Sequence, residues 1–457
     1  MLLHWRTRRH LSRRGKIFGA IAALLVAAVA AAVPAASARP AAAGTDTYSV
    51  STVLIGSNGA IGALYQPTSP TRQEATAFVL THEDANFIGT TPCVQLAQRG
   101  YTVMCVKSEF DDQAEANWDD LALDVGSSVS YLRGLATVGH VVLVGYSGGG
   151  AIMSFYQNVA QNGLSACQAP ARLDPCGDDL ANLPPADGVV LLDAIPGIAF
   201  SDLTQLDPSV VNESLNMFSP LNGYSATGSS DYSARFVSQY TAAQSAREAG
   251  LVARAEGLQD QIKNGTGQYS NDAPMPVGRD EAAIWYADLN LLSHTKGKFP
   301  LISPQYPDGS SPQVIHSVRV TSASAATNDE WSSSQGGFTA DSFMSVAAIK
   351  APDLRITADS ITGVDWASTN TATVDNVAGI RSPMLIMSMT GHYWLVPAEM
   401  YYDAATQAPS KTLVYVEGAT HGFTPCTACE KTPGEFGDTV AETFNYVASW
   451  AAQHYGT

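Results

Sequence analysis

Ten residues constrain this chain more than any others: Val141-Val142-Leu143-Val144-Gly145-Tyr146-Ser147-Gly148-Gly149-Gly150. An apolar, β-branched run of this kind suits a strand buried on both faces. It ends in a G-x-S-x-G pattern, and helical character resumes at once over 151–159. A strand that turns straight into a helix forces the central serine into strained backbone and lifts its hydroxyl clear of the sheet edge. Glycines on either side remove the Cβ atoms that would clash in so tight a turn. The helix start behind Ser147 offers backbone N–H groups and a positive dipole end, the environment an oxyanion needs. The bland alternative is an ordinary strand-to-helix turn that contains a serine. The buried-type strand before the motif and the helix after it favour the functional reading.

The two ends of the sequence differ in kind. Arg6, Arg8, Arg9, Arg13, Arg14 and Lys16 precede an Ala/Val/Leu-rich stretch over 17–33, and Ala36-Ser37-Ala38 supplies a small-residue cleavage site. Residues 1–38 therefore read as a signal peptide cleaved near Ala38, and the mature chain as secreted. The alternative, a membrane anchor, fits less well because the apolar core is short and ends in Pro34. Export by the general secretory route is expected; the pairs Arg8-Arg9 and Arg13-Arg14 also hint at the twin-arginine route. The formal charge is −17, and losing six basic and no acidic groups with the leader takes it to −23. So acidic a surface repels phosphate backbones and anionic lipid, which argues against nucleic acid and against a polybasic membrane dock.

Six cysteines fall into three local pairs, Cys93 with Cys105, Cys167 with Cys176, and Cys426 with Cys429. In an exported chain these read as short-loop disulfides, although the count leaves other connectivities open. The C-x-x-C spacing of Cys426 and Cys429 lacks the second pair a zinc site needs.

Strand-like and helix-like segments alternate through most of the chain. Strands are predicted over 48–55, 60–65, 75–81, 101–107, 141–146, 188–192, 383–389 and 411–416, with a turn at Ser57-Asn58-Gly59. Helices are predicted over 87–99, 117–135, 151–159, 397–405 and 435–455. Such alternation implies a doubly wound, mostly parallel sheet covered by helices on both faces, with ligands beyond the carboxyl ends of the strands. The run from Asp193 to Pro383 breaks the rhythm. It carries a helical stretch over 240–263, a β-like piece over 314–320, and the aromatic residues Tyr232, Phe236, Trp285, Tyr286 and Trp331. We read a core in two parts, 39–195 and 381–457, with a cap or lid over 196–380; a separate binding module is the alternative. Most of the aromatic residues are expected in the core of that segment, and some as lining of an apolar pocket.

A serine hydroxyl is a poor nucleophile until a base takes its proton. Among the seven histidines of the mature chain, His421 stands out, because it follows the last strand and precedes the final helix. In a doubly wound sheet that loop reaches the same edge as the Ser147 turn.

The order of elements, the Gly145-to-Gly149 motif, the Gly418-Ala419-Thr420-His421-Gly422 stretch and the late insertion resemble the α/β-hydrolase superfamily over most of 47–192 and 380–456. With its leader and acidic composition, the chain is similar to secreted actinobacterial esterases and lipases. The resemblance implies a Ser-acid-His triad in that order, an acyl-enzyme, and no cofactor or metal. It departs from the common pattern at the acid. Where many relatives carry an aspartate, this chain has Thr390-Gly391-His392-Tyr393-Trp394. Two carboxylates are candidates: Asp193, at the end of the 188–192 strand, is the first choice, and Glu399 the second. The oxyanion hole is assigned to Gly148 with the backbone near Glu83 or Asp84; either their carboxylates turn away from the developing charge or the hole is built differently. The expected function is a secreted carboxylic-ester hydrolase acting on small or polymeric esters. An acyltransferase or peptidase on the same triad is the nearest rival. A non-catalytic binding protein on a degenerate scaffold is the reading of a different class, motivated by the displaced acid and the altered oxyanion loop.

Overall fold

The computed structural model describes residues 47–56, 60–110, 112–277, 283–309, 311–321 and 337–456. The leader predicted over 1–38, the turn predicted at Ser57-Asn58-Gly59, and Trp331 lie outside them. Along the chain the strands are β1 (Tyr48–Ile55), β2 (Ala60–Pro67), β3 (Thr76–Leu80), β4 (Thr102–Lys107), β5 (His140–Tyr146), β6 (Gly188–Leu192) and β7 (His294–Phe299). There follow β8 (Leu301–Ile302), β9 (Gln313–His316), β10 (Arg355–Ile356), β11 (Ile361–Thr362), β12 (Met384–Met389) and β13 (Lys411–Val416).

Nine of them form one sheet in the order β1-β2-β4-β3-β5-β6-β12-β13-β8. β1, β2 and β4 pair antiparallel, and every other neighbour pair is parallel. This is the doubly wound, mostly parallel architecture expected from the alternation. The central strands are continuous apolar runs because each face has its own core. Ala77, Val79, Val141, Leu143, Val189, Leu191 and Ile386 meet Leu121, Val125, Ile152 and Phe155 from helices Trp118–Arg133 and Gly149–Asn162. Their strand neighbours Phe78, Leu80, Val142, Val144, Val190, Leu192 and Leu385 point the other way, onto Leu96, Phe444, Val447 and Trp450. Those four come from helices Thr91–Gln98 and Thr439–Tyr455. Each fully buried aliphatic side chain contributes about 1.5–3 kcal/mol, so this double core holds β5 and β6 rigidly in place.

Several boundaries differ from those predicted, for local reasons. The helix expected from residue 87 begins at Thr91, with Pro92 in its first turn, where a missing N–H is harmless. The one expected from residue 240 begins at Ala234, because Ser233 Oγ accepts the Phe236 N–H at 3.2 Å and caps it. The final helix starts at Thr439 rather than 435, capped by Asp438 on the Ala441 N–H at 2.9 Å.

The stretch over 196–380 contributes β8 to the main sheet, beside β13, and two small ribbons, β7 with β9 and β10 with β11. The described residues cluster as one compact unit. Tyr232, Phe236 and Trp285 are buried in the core of this stretch. Disulfides join Cys93 to Cys105, Cys167 to Cys176 and Cys426 to Cys429.

One buried carboxyl makes a stability prediction. Glu248, on the Ala234–Lys263 helix, is 2% exposed, and its Oε1 accepts the Ile349 N–H at 3.1 Å. Burial pushes this carboxyl up to about 8, against the smaller opposing effect of that N–H. The folded state therefore holds a proton that the unfolded chain releases at its ordinary carboxyl range, and stability falls as pH rises from there to about 8. Glu248→Gln keeps the acceptor and removes the charge. It is expected to stabilise the fold by on the order of 5 kcal/mol at pH 9 and by almost nothing at pH 4. Calorimetric unfolding at both pH values checks this; equal destabilisation at both would refute it.

Candidate active site

Ser147 sits between β5 and the helix Gly149–Asn162 with φ of 56°, a left-handed conformation that costs a side-chain-bearing residue about 1–3 kcal/mol. The turn is held from both sides: its N–H donates to Leu192 O at 3.3 Å, and its carbonyl accepts the Ile195 N–H at 3.1 Å. Glycine at 145 is a steric necessity, since a Cβ there would lie 2.6 Å from Gly150 Cα. Strand, elbow and helix are thus a single tight unit with the serine at its apex.

Asp193 follows β6 with φ of 45° and is fully buried. Its N–H extends the β6–β12 ladder to Met387 O at 2.7 Å. Its Oδ1 accepts from the Ser388 hydroxyl at 3.1 Å and the Met389 N–H at 3.2 Å. Oδ2 is left to face His421. That histidine arrives on the loop after β13, where the Gly418 N–H donates to Thr390 Oγ1 at 2.7 Å. His421 Nδ1 lies 2.7 Å from Asp193 Oδ2, and its Nε2 lies 2.9 Å from Ser147 Oγ. Burial alone would raise the Asp193 carboxyl; His392 and His421 outweigh it and hold the group well below the usual carboxylate range. An ionised carboxylate only accepts, so the facing Nδ1 of His421 carries the proton and Nε2 is free to take one from the serine.

A second imidazole shares this carboxylate, and sequence reasoning did not assign it a role. His392 Nδ1 lies 2.7 Å from the same Oδ2, and its ring stacks on His421 with centroids 4.3 Å apart. Its sequence signal is its position, in the loop where the resemblance places an aspartate.

Glu399 is not brought to His421. It is 7% exposed in the helix Leu395–Ala404, and its carboxylate accepts the Lys296 and Gly297 N–H groups at 2.9 and 2.7 Å.

The loop after β3 departs from the expectation that its carboxylates turn away. Glu83 points inward, 3% exposed, against the Gly148 backbone; a Cβ on Gly148 would run into both of its carboxyl oxygens. His82 Nδ1 lies 3.0 Å from Glu83 Oε2 and 2.9 Å from Asp84 Oδ1, and its ring stacks on Phe87 at 5.3 Å. Burial pushes the Glu83 carboxyl up to about 7, with His82 opposing. The physical reason for the inward turn is the His82 ring, which gives the buried carboxyl a partner. Among the described residues, two groups bring three metal-capable donors within 4.8 Å, Asp193 with His392 and His421, and His82 with Glu83 and Asp84. In each, imidazole–carboxylate contacts within the group already account for the arrangement.

No family model and no curated protein matches the sequence. Solved structures do show likeness. Est1E from Butyrivibrio proteoclasticus is 11% identical with a TM-score of 0.39, over 89% of this chain and 99% of that one. Carboxyl esterase 2 from Tuber melanosporum is 10% identical with a TM-score of 0.38, over 92% and 89%. Brefeldin A esterase, a bacterial homologue of human hormone-sensitive lipase, is 12% identical with a TM-score of 0.38, over 93% and 80%. The strand order, rather than overlaps of this size, carries the fold assignment.

Proposed function

We propose that this chain, an α/β-hydrolase by fold, is an exported serine hydrolase that cleaves carboxylic esters. The observation that carries the reading is the continuous line from Ser147 Oγ through His421 to Asp193 Oδ2, with contacts of 2.9 and 2.7 Å. Ser147 attacks the acyl carbon as His421 Nε2 takes its proton, and Asp193 stabilises the imidazolium that forms. The Gly148 N–H, with the backbone after β3, faces the tetrahedral oxyanion. His421 returns the proton to the leaving alcohol as the C–O bond breaks. Water then adds to the acyl-enzyme with His421 again as base, releasing the carboxylic acid and restoring the serine.

Residues 196–380 act in this reading as the cap that selects the acyl group. Its support is the contact of Tyr286, from that stretch, with Tyr393 beside the site, ring centroids 4.5 Å apart. Export through the leader over 1–38 is supported by three disulfides, which persist in oxidising compartments. No helix among the described residues is long and apolar enough to cross a membrane.

Labelling with a fluorophosphonate probe tests the enzyme assignment: the folded mature chain should take one label, lost in Ser147→Ala. An unlabelled, folded wild type would leave a binding scaffold as the better reading. Turnover of short p-nitrophenyl esters and of aminoacyl anilides separates ester from peptide hydrolysis, and the esters are expected to turn over.

A further inference from the structure

We propose that His392 is a positioning residue of the same site: as a neutral imidazole it donates its Nδ1 proton to Asp193 Oδ2 and thereby sets the basicity of His421. The proposal rests on the serine-hydrolase reading of Ser147, His421 and Asp193. Three observations carry it. His392 Nδ1 stands 2.7 Å from Oδ2, as near as His421 does, and is buried with no contact of full hydrogen-bond geometry, which leaves this carboxylate oxygen as the acceptor within its reach. The other carboxylate oxygen is committed to Ser388 and Met389, so every polar contact of Asp193 comes from a proton donor. Finally, the loop bearing His392 is tied to the loop bearing His421, because the Gly391 N–H donates to Ala419 O at 2.9 Å. The His392 N–H itself donates to Met389 O at 3.0 Å, which fixes the ring at the strand end.

Burial, with two of the groups that face His392, favours its neutral form. Asp193 approaches from the end of β6 and His421 from the loop after β13, with Arg319 from the stretch after β9; Tyr393 adjoins it on its own loop. Burial pushes the imidazole down to about 4; the nearby His421 and Arg319 add to that, against the pull of Asp193. Arg319 is itself anchored, donating to the carbonyls of Leu291, Leu292 and Trp285. A neutral His392 facing an ionised carboxylate must present N–H, not a lone pair.

The consequence for the reaction has a sign. A donor on Oδ2 draws charge away from the face that His421 uses, so Asp193 holds the His421 proton less tightly. Without that donor the base form of His421 appears at higher pH. His392→Phe fills the same space and removes the proton. It is expected to lower kcat on a p-nitrophenyl ester about tenfold or more, the weight of one hydrogen bond to a charged group, and to move the acid limb of kcat/KM to higher pH. His392→Asn, whose amide N–H reaches the same oxygen, is expected to restore most of the rate and the original limb. A merely structural role would scale the rate equally at all pH values and leave the limb in place.

A second measurement does not depend on turnover. Proton NMR of the wild type should show two slowly exchanging imidazole N–H resonances downfield of the amides, one for each histidine on Asp193, and His392→Phe should show one. Wild-type rates and limb in a folded His392→Phe, or a single downfield resonance in the wild type, would overturn the role of His392. Absence of ester turnover and of probe labelling in the wild type would instead overturn the hydrolase reading, and the resonance count would still decide where the His392 proton points.

Discussion

Asp193→Asn is expected to lower kcat on a p-nitrophenyl ester about ten-thousandfold with the fold intact, while Glu399→Gln leaves kcat within a few fold. The size follows from the donors around the carboxylate. Oδ1 accepts from the Ser388 hydroxyl and the Met389 N–H, so an asparagine must put its carbonyl oxygen there. Its NH2 then faces His421 Nδ1, which has to accept rather than donate. The imidazole proton moves to Nε2, the nitrogen 2.9 Å from Ser147 Oγ, and the serine loses its base. The other substitution acts on a different system. Glu399 accepts two backbone N–H groups, and a glutamine at that place sets its NH2 against one of them. The expected result is a loss of stability of about 1–3 kcal/mol from the unpaired donor, with little change in rate. Steady-state kinetics and thermal unfolding of both variants decide the matter. A collapse of kcat in Glu399→Gln alone would reverse the choice of acid.

How much of this arrangement was legible in the sequence depends on the range of the interactions involved. The strand before Ser147 and the helix after it were legible because both are local patterns, and the apolar run of β5 is explained by cores on both of its faces. The placement of His421 after the last strand followed from topology alone. Asp193 was legible as a strand-end carboxylate, but its fully buried setting and its grip on Ser388 and Met389 depend on the register of β6 against β12, which no local pattern states. β8 escaped notice because a two-residue strand has no periodicity to read. His392 escaped for a related reason: its partner comes from a strand far away in the chain, and a lone histidine in a loop is ordinary. The inward turn of Glu83 was the opposite of what charge alone argued. A carboxylate beside a forming oxyanion is unfavourable, and the His82 ring 3.0 Å from it supplies an opposing attraction that charge alone at the oxyanion did not reveal.

That inward carboxyl predicts an unusual pH dependence. Burial pushes Glu83 up to about 7, and for His82 the neighbouring carboxylates Glu83 and Asp84 overcome the effect of burial and raise it as well. The pair therefore keeps at least one proton at neutral pH, and as pH rises the loop gains a net negative charge against the Gly148 backbone. A tetrahedral oxyanion forming at the Gly148 N–H would meet that charge at close range in a site of low dielectric. The expected result is a wild-type kcat that falls above neutrality by about tenfold per pH unit, as for the loss of one essential proton. Glu83→Gln cannot ionise, and its amide offers a donor where the carboxyl had its proton. Its kcat should stay level to pH 9, where it exceeds that of the wild type by on the order of a hundredfold. The stability argument runs in the same direction. A carboxyl raised by burial weakens the fold once pH passes from its unfolded range to about 7, so the variant should gain thermal stability on the basic side only. Rates of p-nitrophenyl ester hydrolysis from pH 5 to 9, with melting curves at the two extremes, test both statements. A basic limb that survives unchanged in Glu83→Gln would mean that the Glu83 charge does not reach the reacting carbonyl.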